Sequence, residues 1–217
     1  MRLHFVRHGE SLANAHDRAG RPRPDDWDAL SERGWEQARE LGRRLEGHGI
    51  EVIVASTMRR AQETAQGITE VLGLPVETDP ELHELRQADA FYAAAADLGD
   101  FADTASLNWM PTAPRDHAEP GAESFDEMLG RVVRVRQRME ARAGDERILL
   151  VSHYGFIHFF LGHALFGDAF GPEHLIPLWY AAHANTGITV FERRNRRMDG
   201  MDFDGWHLLT WNDQAHL

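Results

Sequence analysis

The sequence contains no cysteine and no lysine, and all 23 of its basic residues are arginine. The first absence excludes disulfides, thiolate nucleophiles and Cys-based zinc sites, although it is neutral about the compartment. The second excludes Schiff-base chemistry, pyridoxal-type cofactor anchoring and a phosphate-loop lysine. No apolar run approaches the ~20 residues that cross a bilayer. The start MRLHFVRHGES lacks the basic, apolar and small-residue series of a secretory signal. A cytoplasmic location is expected.

Positive charge is scarce as well, since 35 acidic residues leave a formal net charge of −12. Nucleic acids and anionic membranes are bound largely through Lys and Arg, so neither is expected as a partner. An anionic ligand must instead meet a local cationic pocket. The 217 residues, 42% hydrophobic and 27% charged, are an ordinary globular composition that one domain with one core accommodates.

The runs at 3–6 (LHFV), 52–55 (VIVA) and 147–151 (RILLV) are short, apolar and rich in β-branched residues, and they read as buried strands of a mostly parallel sheet. Two further candidates lie at 188–192 and 206–211. Between them the period changes to 3.6. After Ser31, a plausible cap, Trp35, Ala38, Leu41 and Leu45 share a face. After Thr57 the inward set is Ala61, Thr64, Ala65, Ile68 and Leu72, closed by Gly73. Ser124 and Glu127 form a capping box ahead of Met128, Leu129, Val132 and Met139. This alternation predicts an α/β fold, a three-layer α/β/α sandwich on a mostly parallel central sheet. Residues 86–122, an Ala-rich stretch and then a Pro-containing one without a period, predict a small helical or irregular cap inserted in the single domain 1–217.

Three strand ends carry chemistry. Arg7-His8-Gly9-Glu10, with Asn14 six residues after His8, follows the first strand. Ser56-x-x-x-Arg60-Ala61-x-x-Thr64-Ala65 follows the second, and Val151-Ser152-His153-Tyr154-Gly155 closes the third. Open α/β sheets bind ligands at such carboxyl ends. Arg59 and Arg60 are adjacent and point about 100° apart on a helix, so one of them faces the pocket; Arg60 is expected to. Two guanidiniums and two imidazoles suit a phosphoryl group, whose charge spreads over three equatorial oxygens in transfer. A histidine nucleophile needs one ring nitrogen free, which requires the other to donate to a fixed acceptor such as a backbone carbonyl.

With LSERGWEQA at 30–38, LHEL at 82–85 and GAES at 121–124, these segments occur in one order along nearly the whole chain. The set resembles the histidine phosphatase superfamily, also called phosphoglycerate-mutase-like. The resemblance implies that His8 is the nucleophile that becomes phosphohistidine, and that Arg7, Arg60 and His153 bind the phosphoryl oxygens. Asn14 matches a further phosphate-contacting position. Glu84, in LHEL, matches the proton donor to the leaving group, with Glu81 as its neighbouring rival. No cofactor and no metal are expected: HExxH is absent, and His153, His158 and His163 are spaced by five, which spreads them around a helix. His158, His163, His174 and His183 are expected at the rim or surface, and Trp109 and Trp179 in core or cap packing.

After Glu84 the chain continues LRQADAFYAAA. It has neither the Tyr-Gly-Leu-Gln-Gly type segment typical of the family's mutases nor the Gly-x-Trp-Glu-Gly type segment of many of its phosphatases. The expected activity is metal-independent hydrolysis of a small phosphorylated metabolite. A phosphoglycerate mutase-type transfer, a silent phosphate-binding module and a metal-dependent hydrolase are the alternatives. Self-association into a homodimer is left open.

Overall fold

The computed structural model describes residues 1–18, 24–87, 114–118, 120–142, 145–198 and 201–217. The expected cap falls largely on 88–113, with Trp109, and lies outside them.

Among the described residues six strands form one sheet in the order β3-β2-β4-β1-β5-β6. The strands are β1 (Arg2–Arg7), β2 (Val52–Ala55), β3 (Val76–Thr78), β4 (Arg147–Ser152), β5 (Ile188–Met198) and β6 (Met201–Asp213). The first four run parallel, and β5 and β6 add an antiparallel hairpin beside β1. The helices are α1 (Leu12–Arg18), α2 (Glu32–Leu45), α3 (Arg59–Leu72), α4 (Phe125–Glu140), α5 (Tyr154–Phe166) and α6 (Pro172–Trp179).

Strand side chains alternate between two faces, and each face here has its own core. Leu3, Phe5, Val52, Val54, Ile148, Leu150 and Phe191 pack with α4 and α5, against Met128, Val132, Phe156 and Phe160. Val6, Ile53, Ala55, Leu149, Val151 and Ile188 turn the other way, under Leu41, Leu45, Ala61, Ala65 and Ile68 of α2 and α3. The result is a three-layer α/β/α sandwich. Both faces being covered explains why the parallel strands read as continuous apolar runs.

The helix starts follow the expected side-chain chemistry. Ser31 Oγ accepts Gly34 N at 3.0 Å. Ser124 and Glu127 exchange both bonds of a capping box, at 3.1 and 2.9 Å. Gly73 ends α3 at φ 66°, a left-handed conformation that glycine adopts without steric cost.

Strands β5 and β6 run longer than the expected 188–192 and 206–211, and two further features differ from the sequence reading. Strand β3 was not among the expected strands, because Val76, Glu77 and Thr78 are all exposed at the sheet edge and leave no apolar pattern. Trp35 is only half-buried at the flank of α2, with the Arg39 guanidinium 5.7 Å from its ring centroid.

The first turn of α2 lies hard against the chain after β1. A Cβ at Gly34 would collide with the carbonyl oxygen of Glu10, and one at Gly9 would come within 2.6 Å of the Gly34 oxygen. Backbone, unlike a side-chain tip, cannot step aside. Gly34→Ala is therefore expected to destabilise the fold by about 1–3 kcal/mol, as overpacking does, read as a lower urea midpoint; an unchanged midpoint would refute the close approach.

Candidate active site

The carboxyl ends of β1 and β4 lie side by side, since Arg7 pairs in register with Ser152 and His8 N donates to Ser152 O at 3.0 Å. Ser56, just past β2, continues the ladder through Val151 O at 3.0 Å. These three ends bring His8, His153 and Arg60 together with Arg7. The two imidazole centroids are 5.2 Å apart, and the charges of Arg60 and Arg7 act on both rings.

His8 is buried, and its Nδ1 lies 2.8 Å from the carbonyl oxygen of Gly9. A carbonyl only accepts, so Nδ1 carries the ring proton and Nε2 keeps its lone pair. Burial, then the cationic Arg60 and Arg7, hold the His8 pKa well below 6.5. The ring is thus held neutral, with Nε2 unprotonated. His153 is fully buried, and burial followed by Arg60 and His8 pushes its pKa down likewise. Its Nε2 lies 2.9 Å from Ser56 Oγ, and its Nδ1 has no hydrogen-bond partner among the described residues. A Ser56 hydroxyl that donates to Nε2 leaves the proton on Nδ1, where an anion oxygen can receive it.

The guanidiniums are held differently. Arg7 Nη1 donates to His183 O at 2.9 Å, its face lies 5.3 Å from the Tyr154 ring centroid, and its Nε is buried without a described partner. Of the adjacent pair, Arg60 turns inward with 8% of its side chain exposed, whereas Arg59 stays outside on Glu63. Arg60 donates to Asp28 and lies 5.6 Å from the Trp27 ring centroid. The other Asp28 oxygen accepts Arg59 N at 2.8 Å, so one carboxylate caps α3 and holds the inward arginine.

Asn14 Oδ1 accepts from Ser11 N at 3.3 Å and from Asn185 Nδ2 at 3.2 Å. The amide nitrogen of Asn14 is left as its remaining donor group. Glu84 Oε1 accepts the backbone N–H groups of Leu85 and Gly155, each at 2.9 Å, at the start of α5. A Cβ at Gly155 would lie 2.6 Å from that oxygen, so the glycine leaves the carboxylate its place. Glu81 lies elsewhere: its carboxylate is shared by Arg134 and Arg138. Burial pushes the Glu81 pKa up, but those two guanidiniums prevail and hold it below the usual carboxylate range.

Several supporting groups had no assigned role in the sequence reading. Gly9 N donates to Thr64 Oγ1 at 2.9 Å, and Thr64 in turn donates to Arg60 O at 2.6 Å, tying the His8 loop to the Arg60 helix. Glu10 N donates to Gln37 Oε1, and Ser31 Oγ donates to Glu10 Oε1. Asn185 Nδ2 also donates to His8 O at 2.9 Å, next to Thr186 at φ 58°, a conformation that costs a β-branched residue free energy.

One expectation is corrected. His158, His163 and His183 are buried, not at the rim or surface, and only His174 is half-exposed. Helix α5 is apolar on all sides and runs inside the fold; both nitrogens of His158 lie 2.8 Å from carbonyl oxygens, those of Tyr154 and Ala181, and His163 Nδ1 lies 3.0 Å from Arg136 Nη1. Among the described residues no helix is long and apolar enough to cross a membrane.

Residues 3–214 match the model of the histidine phosphatase superfamily, branch 1. The chain belongs to that superfamily. It is 30% identical over 209 residues to the adenosylcobalamin/alpha-ribazole phosphatase of Escherichia coli (strain K12), covering 93% of this chain and 99% of that protein. It is 39% identical over 225 residues to the probable phosphoglycerate mutase GpmB of Yersinia pestis (strain Pestoides F), covering 100% and 95%. Among solved structures it is similar to mycobacterial hydrolase 1, with a TM-score of 0.70, 26% identity and 99% of each chain covered. The superfamily works through a phosphohistidine, and its members here include phosphatases and mutase-like proteins.

Neutral imidazoles in the interior make stability depend on pH. The unfolded chain takes up a proton on His8 and on His153 below the ordinary value of 6.5, whereas the folded chain does not. Stability is therefore highest above 6.5 and falls as pH drops, by about 1.4 kcal/mol per pH unit for each ring. His4, held at about 4, and His183, held at about 3, act in the same direction. Urea midpoints measured between pH 7.5 and 5.5 are expected to fall steadily; a flat profile would contradict the neutral assignment.

Proposed function

We propose that the protein hydrolyses the phosphomonoester of a small metabolite through a phosphohistidine on His8, without a metal. The observation that carries this reading is His8 itself, buried beside two arginines with its proton committed to Gly9 O. A site that only held phosphate would gain nothing from a ring nitrogen kept free of a proton.

In the first half-reaction the lone pair of His8 Nε2 attacks phosphorus in line with the ester oxygen. The N–P bond forms as the P–O bond to the alcohol breaks, and Glu84 gives that oxygen its proton. Arg7, Arg60, Asn14 and His153 donate to the equatorial oxygens, which carry most of the developing charge. In the second half-reaction water attacks phosphorus, passes a proton to Glu84, and His8 leaves as the free imidazole. Both charge and protons are restored.

The likeness to a probable phosphoglycerate mutase supports the second reading, phosphoryl return to a bound product instead of water. The likeness to an alpha-ribazole phosphatase supports hydrolysis. The segment after Glu84, which lacks the mutase pattern, favours hydrolysis.

Acid-quenched labelling with a phosphorylated substrate is expected to trap an acid-labile phosphoenzyme that His8→Ala abolishes. Its absence from the native chain would leave only a binding role. Activity on p-nitrophenyl phosphate should persist in excess chelator. Phosphate release should exceed interconversion of 2- and 3-phosphoglycerate in one preparation; the reverse would establish the mutase. Glu84→Gln should lower kcat/KM on an aliphatic ester by about 10²–10⁴-fold, the usual contribution of a general acid.

A further inference from the structure

Glu84 sits on an irregular stretch: after the short 3-10 turn Pro80–Leu82, residues 83–87 belong to no helix or strand. Ladder bonds cannot hold such a segment, yet three consecutive carbonyls before Glu84 are taken by side chains. Arg131 Nη1 donates to Glu81 O and to His83 O, both at 2.7 Å, and Ser152 Oγ donates to Leu82 O at 2.7 Å. On the far side Glu123 N donates to Arg86 O at 2.9 Å.

Arg131 is held in turn by Glu123. Its Nε and Nη2 form a bidentate fork on the two carboxylate oxygens at 2.9 and 2.7 Å, and the two side chains are 4% and 2% exposed. The arginine projects from the inward face of α4, among Met128, Val132 and Val135, where an aliphatic residue would fill the space without desolvating a charge. Buried ion pairs of this kind seldom add net stability. What this one does add is direction, because a fork fixed by a carboxylate aims its remaining Nη1 at one place. That place is the pair of carbonyls flanking Leu82, immediately ahead of Glu84.

We propose that the buried Glu123–Arg131 pair is a positioning device for the Glu84 carboxylate, and that through it the site is built for phosphate esters of aliphatic alcohols. The proposal rests on Glu84 being the proton donor. An aryl oxide or a carboxylate leaves phosphorus without a proton, so accurate placement of a donor matters little to it. An alkoxide cannot leave unprotonated, and an ångström of drift in the donor then costs rate.

The test compares kcat/KM for glycerol 2-phosphate and p-nitrophenyl phosphate in the native chain, Glu123→Gln, the double variant Glu123→Leu/Arg131→Met, and Glu84→Gln. The double variant replaces the whole pair by apolar groups and so keeps the test open if the single change, which leaves a buried cation unpaired, does not fold. The ratio of aliphatic to aryl activity is expected to fall about 10-fold or more in both Glu123 variants, and further in Glu84→Gln. Equal losses on the two esters in the Glu123 variants, with the ratio still falling in Glu84→Gln, would reduce the pair to a structural one and overturn the proposal. An unchanged ratio in Glu84→Gln would instead overturn the assignment of the acid.

Discussion

Everything in the pocket depends on keeping two imidazoles neutral next to two permanent cations. Water would undo this by solvating protonated rings, and burial of His8 and His153 removes it. The guanidiniums then reinforce burial, because a protonated ring beside them would be repelled in a medium that screens poorly. The single contact from His8 Nδ1 to Gly9 O converts this electrostatic preference into a chemical one, since it decides which nitrogen is free. On the proposed reading, a phosphate dianion would complete this arrangement of neutral rings among cations.

The fold serves this constraint by ending its strands together. Parallel pairing of β1, β4 and β2 places three carboxyl ends on one rim, and the turns after them are fixed by side chains from the neighbouring helices. The last residue of α6 and the irregular segment after it offer four carbonyls to side chains. Tyr154 takes that of Trp179, His158 that of Ala181, Asn212 that of Ala182 and Arg7 that of His183. A stretch without regular structure thus has its polar groups satisfied, and Arg7 receives its anchor from the same stretch.

How much of this was legible in the sequence follows from how local each cause is. Strands β1, β2 and β4 and the caps Ser31, Ser124 and Gly73 are visible because apolar runs and capping bonds span only a few residues. The inward choice of Arg60 over Arg59 could be read from helical geometry combined with the strand end before it. Strand β3 was invisible because pairing alone, without burial, makes it a strand. The buried state of His158 and His183 was misjudged because their polar partners are mainly carbonyls, groups every residue carries and no sequence pattern marks. Arg131 was overlooked for a similar reason: on a helix rich in arginine, nothing within one turn distinguishes the one whose carboxylate lies eight positions earlier.

The pairing of Arg60 with Asp28 gives ligand capture an unusual character. A guanidinium that already has a counter-ion attracts the next anion less strongly, although its Nε and Nη2 groups can still donate. A singly charged ion would gain less from such a site than a doubly charged one with oxygens for both arginines at once. On the proposed reading, Arg60 would meet its substrate with part of its charge already answered from within the protein.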